Sequence, residues 1–322
     1  MRLWLGVLVL NVALALLIAV VAPRDIGTTA DREGYEYVEA HPLAPDCPHS
    51  IFCYRVLVPA VLSNVQAPDV VRWRAFSIVG NALTGTLLAG LAVAATRQRT
   101  AMTAVVASIL YQASFGATFA VFDPFTPDAA VYLLAALLAL LWWRDRPWLA
   151  MGVAVVGVFA KETIALVISA AALAAFFQPT ERRRRSWLIA ALVSWLAILV
   201  FHGVMDASAG WSERGSASAN VFGGSWLGLW LSDSTLTWSA RLLYLFIPFG
   251  FAWLYAVLGF GGAPRRLRSL ALGSLLTIPV LVYVQTPERA LATASFVVIP
   301  LAAIYLSGSS PLLGLAAAIS NG

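Results

Sequence analysis

Stretches of about twenty residues without a single charged side chain recur along this chain, over 3–22, 75–96, 101–122, 187–205, 242–260 and 290–306. Crossing roughly 30 Å of hydrocarbon takes about 20 apolar residues in a helix, and lipid offers no partner to an unpaired backbone group. The runs lack the two-residue alternation of a membrane barrel, so they read as helices. Four shorter runs join them, over 128–143, 148–160, 163–177 and 270–284. The composition agrees, at 60% hydrophobic and 11% charged, where soluble domains carry about 25% charge. The expectation is an all-α fold, a polytopic transmembrane helical bundle of about ten spans, forming one integral membrane domain over 1–322.

Two details of that pattern need a decision. Only Lys161 and Glu162 divide the runs 148–160 and 163–177. A single helix would be too long for an ordinary span and would hold the two charges at mid-depth, where each costs at least about 2.5–3.5 kcal/mol. A helical hairpin with Lys161 and Glu162 at its outer turn is expected instead. The first run has the position of a signal peptide. Its basic region is Arg2 alone and its apolar core is longer than a signal core, so it reads as a retained first helix.

Arginine sets the orientation. With the N-terminus cytoplasmic, the short inner loops hold Arg2, Arg97, Arg99, Arg144, Arg146, Arg182, Arg183, Arg184, Arg185, Arg265, Arg266 and Arg268. These are 12 of the 21 basic residues, against Asp145 and Glu181 alone of the 16 acids. Such short-loop bias marks the cytoplasmic side of a cell inner or plasma membrane. It also accounts for the net charge of +5 without nucleic acid. Two long segments then face outward, an extracytoplasmic first loop over 24–74 and a second over 206–241.

The first loop holds six acids through Asp46, both cysteines, and His41 and His49 of the three histidines. Cys47 and Cys53 suit a disulfide in an oxidising exterior; a zinc site using Cys47, His49, Cys53 and His41 competes with it. Asp31-Arg32-Glu33-Gly34-Tyr35 can start a helix with Asp31 near its N-terminus. Tyr54-Arg55-Val56-Leu57-Val58-Pro59 and the apolar residues after it are too short to cross, so the loop is expected to bear interfacial helices. A carboxylate there could meet a substrate with its tail in lipid and its head in water. The plainer reading is that these charges solvate a loop.

Further candidates lie in the other outward turns. In Asp123-Pro124-Phe125-Thr126-Pro127-Asp128 the prolines break the helix, and Asp128 suits the start of the next one, where the dipole favours an acid. Asp123 has no such structural role and is the stronger functional candidate. Lys161 is the only lysine and could neutralise a phosphate as a point charge, with Glu162 capping the returning helix. Glu288 and Arg289 follow Thr286-Pro287 in the last outward turn. In the second loop Trp226, Trp230 and Trp238 suit either the headgroup region or a sugar ring, and Arg214 and Arg241 are further anion contacts. His202 reads as a packed residue.

At these residues the chain resembles the GT-C superfamily of membrane glycosyltransferases, which take sugars from polyprenyl-phosphate donors. The resemblance rests on residues 31–35, 54–59, 123–128, Lys161-Glu162 and Glu288-Arg289, in that order and topology. It covers 3–177 well and the remainder loosely. It implies a loop-1 carboxylate as general base, Asp31 first and Glu33 second, with Asp123 as a further catalytic acid. Tyr35, Arg55, Lys161, Glu162, Glu288 and Arg289 are the implied substrate-binding residues. The implied partners are a polyprenyl-phosphate-linked sugar, an acceptor and the bilayer. No cofactor is called for outright, although Asp31 and Asp123 could share a divalent metal. Asp31, Asp123, Lys161 and Arg289 are expected to gather in one cavity beneath the first loop. Two other readings stay open, a transporter or flippase of a lipid-linked anion and a non-catalytic membrane scaffold subunit.

Overall fold

The computed structural model describes residues 2–23, 30–44, 47, 50–96, 100–178, 184–209, 237–282 and 286–308. Among these the regular structure is entirely helical. In chain order the helices are α1 (Arg2–Val21), α2 (Ala30–Ala40), α3 (Ser50–Cys53), α4 (Leu57–Leu62), α5 (Asp69–Ala95), α6 (Thr100–Gln112), α7 (Phe115–Phe122) and α8 (Asp128–Trp143). They continue with α9 (Pro147–Gly157), α10 (Thr163–Phe176), α11 (Arg184–Ala209), α12 (Trp238–Phe246), α13 (Ala252–Gly262) and α14 (Arg265–Gly273). A 3-10 segment, Ser274–Val282, leads to α15 (Pro287–Ala292) and α16 (Ser295–Gly308).

Three helices, α1, α5 and α11, are long and apolar enough to cross a membrane, and α6 with α7 makes a fourth if that bent pair is one span. Large apolar side chains stand exposed along α1 (Leu5, Val9, Leu17, Val20) and α11 (Leu192, Leu196, Leu199). Such faces are compatible with contact to lipid. The remaining runs fall short of ten unbroken spans because α8, α9 and α10 are shorter apolar helices and the backbone interrupts others. The run 101–122 bends by 51° between α6 and α7. There Ser114 leaves the helix with extended backbone, donates to the Tyr111 carbonyl and caps α7 by accepting from the Ala117 N–H. The run 242–260 breaks between α12 and α13 at Pro248 and at Gly250, whose φ of 52° lies in the left-handed region. The expected division at Lys161-Glu162 is present, with α9 and α10 as separate helices in contact.

Amide side chains tie the bundle together where α6 bends. Asn11 on α1 donates to Ser108 (2.9 Å), Gln112 donates to Asn11 (3.2 Å) and to the Asn81 carbonyl (3.1 Å), and Tyr111 donates to Asn81 (3.0 Å). Asn81 in turn donates to the Ala117 carbonyl on α7 at 2.7 Å. All are buried, so these bonds form out of reach of water and fix α1, α5, α6 and α7 in one register.

The first loop folds back on the bundle. Tyr35, Val58, Leu62, Trp73, Phe125, Ala130 and Ala160 form a small core of their own, joining α2 and α4 to the N-terminal ends of α5 and α8 and to the turn after α9. The Trp73 indole donates to Glu39 (2.8 Å), and the Leu57 N–H donates to the Phe159 carbonyl (3.0 Å). Gly34 allows this closeness, since a Cβ there would lie 2.4 Å from the Phe52 ring. Cys47 and Cys53 form a disulfide. Both sulfurs are thereby bonded to each other, and the zinc reading is corrected on that ground.

Candidate ionic site

The prolines at 124 and 127 end one helix and start the next, and they deliver Asp128 as the first residue of α8. No side-chain cap bond forms there. The buried Asp128 carboxylate instead accepts from Lys161 Nζ on Oδ1 (2.8 Å) and from Arg289 Nε on Oδ2 (2.7 Å). Asp128 thus has its expected place in the first turn of α8, and two cations facing its carboxylate in a desolvated setting add to what the helix dipole offers. Arg289 then reaches Asp31 Oδ2 through Nη1 at 2.7 Å. Four residues from four separate segments, Asp31, Asp128, Lys161 and Arg289, make one continuous ionic chain.

Arg289 is held from several sides. Its guanidinium lies 5.0 Å from the centre of the Phe119 ring, and its carbonyl accepts from the Tyr132 hydroxyl (3.3 Å). Gly116 on α7 lets α15 come this close. A Cβ there would stand 2.7 Å from the Ala292 methyl and 3.2 Å from the Tyr132 ring. Burial opposes the charged guanidinium, but Asp128 and Asp31 more than offset it and hold Arg289 above the ordinary arginine range. Burial pushes the Lys161 ammonium below the ordinary lysine value, with Asp128 opposing and Arg55 and Arg289 adding to the fall.

A second ion pair stands beside the first. Arg55 forks onto Glu162, with Nη2 to Oε1 at 2.6 Å and Nε to Oε2 at 3.1 Å, and its Nη1 donates to the Tyr35 hydroxyl at 3.3 Å. Glu162 makes no capping bond to α10, so its expected capping role is corrected. Lys161 and Glu162, neighbours in sequence, pair in different directions. Burial raises Glu162, but the Arg55 charge prevails and brings it down to about 2. Tyr35 is fully buried against Phe52 and Trp73, and burial pushes its hydroxyl up to about 12. It is a core residue rather than a surface for substrate.

Asp123 borders the ionic chain closely enough to feel it. Burial first, then the negative charge of Asp31, raise its carboxyl, with Arg289 opposing. Its Oδ1 is buried without a hydrogen-bond partner, as is Glu288 Oε2, and burial raises Glu288 too. Glu33 is exposed. Two residues apart on a helix, it and Asp31 face different sides, so the second choice of base is not brought to the site.

Among the described residues no three of His, Cys, Asp and Glu gather as metal ligands, and Asp31 Oδ2 accepts from Arg289. The Tyr54 ring stacks on His202 at 3.8 Å and its hydroxyl donates to Asp206, which ties the first loop to α11. A separate cleft beside α2 is lined by Glu36, Glu39, Ser63, Asp69 and Arg72; Arg72 pairs with Glu39 and Asp69. Arg214, Trp226, Trp230, His49 and most of the second loop lie outside the described residues.

The sequence pattern points to a helix start for Asp128 and not to a place in the ionic chain. A signal for it existed: a lone lysine in a turn packed against apolar helices needs a carboxylate, and Asp128 begins a helix that packs on both α9 and α10. No protein-family model, curated protein or solved structure matches this chain.

Proposed function

We propose that this chain is a membrane glycosyltransferase that moves a sugar from a polyprenyl-phosphate donor to an acceptor hydroxyl at the outer face of the membrane. The observation that carries this reading is the convergence of Asp31, Asp128, Lys161 and Arg289, with Asp123 alongside, beneath a loop packed on a lipid-compatible bundle. In this reading the chain crosses about ten times, with its N-terminus cytoplasmic, the interrupted runs serving as broken spans. Irregular backbone is tolerated at membrane depth where protein buries it.

The chemistry follows from the charges. Asp31 accepts the proton of the acceptor hydroxyl as general base. The hydroxyl oxygen bonds to the anomeric carbon, and the carbon–oxygen bond to the lipid phosphate breaks, its electron pair leaving with the phosphate. Arg289 and Lys161 hold that developing charge in a poorly hydrated place, where fixed cations act most strongly. Arg55, gripped by Glu162, positions the first loop over the site. Asp123, with one free buried oxygen, orients the acceptor.

Transfer of labelled sugar from a panel of polyprenyl-phosphate donors, wild type against Asp31→Asn at equal expression, tests this. Loss of transfer in the variant is expected; full activity would remove Asp31 from the mechanism. The 51° break between α6 and α7, set among buried amides, favours one second reading, a transporter of a lipid-linked anion. That reading predicts movement of intact donor across vesicles with the sugar still attached.

A further inference from the structure

Asp31 occupies the same guanidinium that the transferase reading assigns to a leaving phosphate. Resting on that reading, we infer that the phosphate group of the lipid donor displaces Asp31 from Arg289, so that the base is released only when the donor is seated.

The charge balance leads there. Asp31, Asp128 and Glu162 pair with Arg289, Lys161 and Arg55, and Asp123 stands alongside with a buried oxygen that takes no hydrogen bond. No cation of this set is left over, so a phosphate enters by taking over one already held. The contacts differ in how readily they open. Asp128 accepts from two cations and its side chain is 2% exposed. Glu162 is gripped by both arms of the Arg55 fork. Asp31 has a side chain 25% exposed, and among the described residues it takes one side-chain hydrogen bond, from Arg289. It is the carboxylate that can leave.

Arg289 can stay behind when it does. Nε remains on Asp128, the ring of Phe119 backs the guanidinium, and Tyr132 holds the backbone. Nη1 is then free for phosphate oxygens, and a planar guanidinium suits that geometry better than an ammonium would. No covalent bond changes in the exchange. One charge-assisted hydrogen bond, guanidinium to carboxylate, gives way to another, guanidinium to phosphate. Asp31 leaves as an acceptor with a vacant oxygen beside Asp123, ready for the hydroxyl proton.

The test is the affinity of the purified protein for polyprenyl phosphate and for inorganic phosphate, in wild type, Asp31→Asn and Asp31→Ala, and again with Arg289→Lys. Removing a competing anion should tighten polyprenyl phosphate binding by about fivefold in both Asp31 variants, the size expected for a partly exposed ion pair. Adding Arg289→Lys should abolish the gain. A gain shared by inorganic phosphate assigns the exchange to the anion alone, and a gain confined to the lipid assigns it to a headgroup at the bilayer. Unchanged or weaker binding in the Asp31 variants overturns the proposal, since a residue that merely aims Arg289 would lose affinity when removed. Sugar transfer measured on the wild-type preparation, set beside the affinity change in the Asp31 variants, separates the two ideas. Transfer without the affinity gain sinks the exchange and leaves the transferase; the gain without transfer leaves the exchange and sinks the transferase.

Discussion

Asp128→Asn keeps the volume of the side chain and removes the charge that Lys161 and Arg289 share. The three side chains are 2%, 11% and 12% exposed, so solvent does little to screen the loss. Breaking a buried ion pair from one side costs about 3–5 kcal/mol. Arg289 still has Asp31, so most of that cost falls on Lys161. A buried lysine can escape by releasing its proton, which caps the cost at about 4.6 kcal/mol at pH 7, from about 1.36 kcal/mol for each unit below its free value of about 10.4. At about 1.5 °C per kcal/mol for a chain of this size, a cost of about 3 kcal/mol or more should lower the melting temperature in detergent by roughly 5 °C or more.

The pH dependence gives the sharper check. Burial already holds Lys161 below its unfolded value of about 10.4, and loss of Asp128 lowers it further. A lysine depressed in the fold penalises the folded state at pH below its folded pKa, and the penalty fades as pH rises toward the unfolded value. The gap in melting temperature between wild type and Asp128→Asn should therefore narrow from pH 7 to pH 10. Lys161→Met added to Asp128→Asn removes the stranded charge and should recover at least half of the loss at pH 7. A variant that melts within 2 °C of wild type, or a gap indifferent to both pH and Lys161→Met, would refute the buried ionic chain.

Other consequences are more local. Glu162→Gln should cost about 1.5–3 kcal/mol at pH 7, the worth of hydrogen bonds to a charged group. Because Glu162 is lowered to about 2, its contribution is complete above roughly pH 4.5 and lost as pH falls through 2, so the melting curves of wild type and variant should converge on acidification. Gly116→Ala should destabilise by about 1–3 kcal/mol through overpacking against Ala292 and Tyr132. It should also slow sugar transfer by shifting α15 and Arg289, and a variant with wild-type melting and rate would contradict that close approach. Replacing Cys47 and Cys53 by serine opens a crosslink of sequence separation 6, worth about 2 kcal/mol by loop closure, and should expose the first loop to protease before the bundle.

What the sequence made legible follows from which forces act locally. Hydrophobic runs announce helices because each residue contributes its own transfer energy, and the division at Lys161-Glu162 follows from the cost of embedding charge. The breaks within 101–122 and 242–260 were harder to see. At Ser114 a hydroxyl competes for the backbone, and at Pro248 and Gly250 a missing N–H donor and a left-handed backbone combine; neither shows in a count of apolar residues. Likewise Asp31, Lys161 and Arg289 stand out as isolated charges near apolar runs, while the choice of partner among Asp123, Asp128 and Glu162 depends on contacts between helices distant in sequence.

The same distinction explains why Asp128 was assigned to the helix and not to the site. A dipole at a helix N-terminus is worth about 0.3–1 kcal/mol to an exposed acid, and that was the only attraction visible along the chain. Two buried cations at 2.7 and 2.8 Å act far more strongly, because no water competes for the carboxylate. Lys161 pairs with Asp128 rather than with Glu162 beside it for a related reason. Arg55 presents a fork that matches both oxygens of Glu162, a match that the single ammonium of Lys161 cannot make. Each of the paired acids thus goes to the cation whose shape it fits, and the most loosely held of them is Asp31, bound through one side-chain bond and partly open to solvent. In the proposed transfer the acid that can leave its cation is the one restrained but not buried, and Asp31 is the residue of this cluster with those two properties.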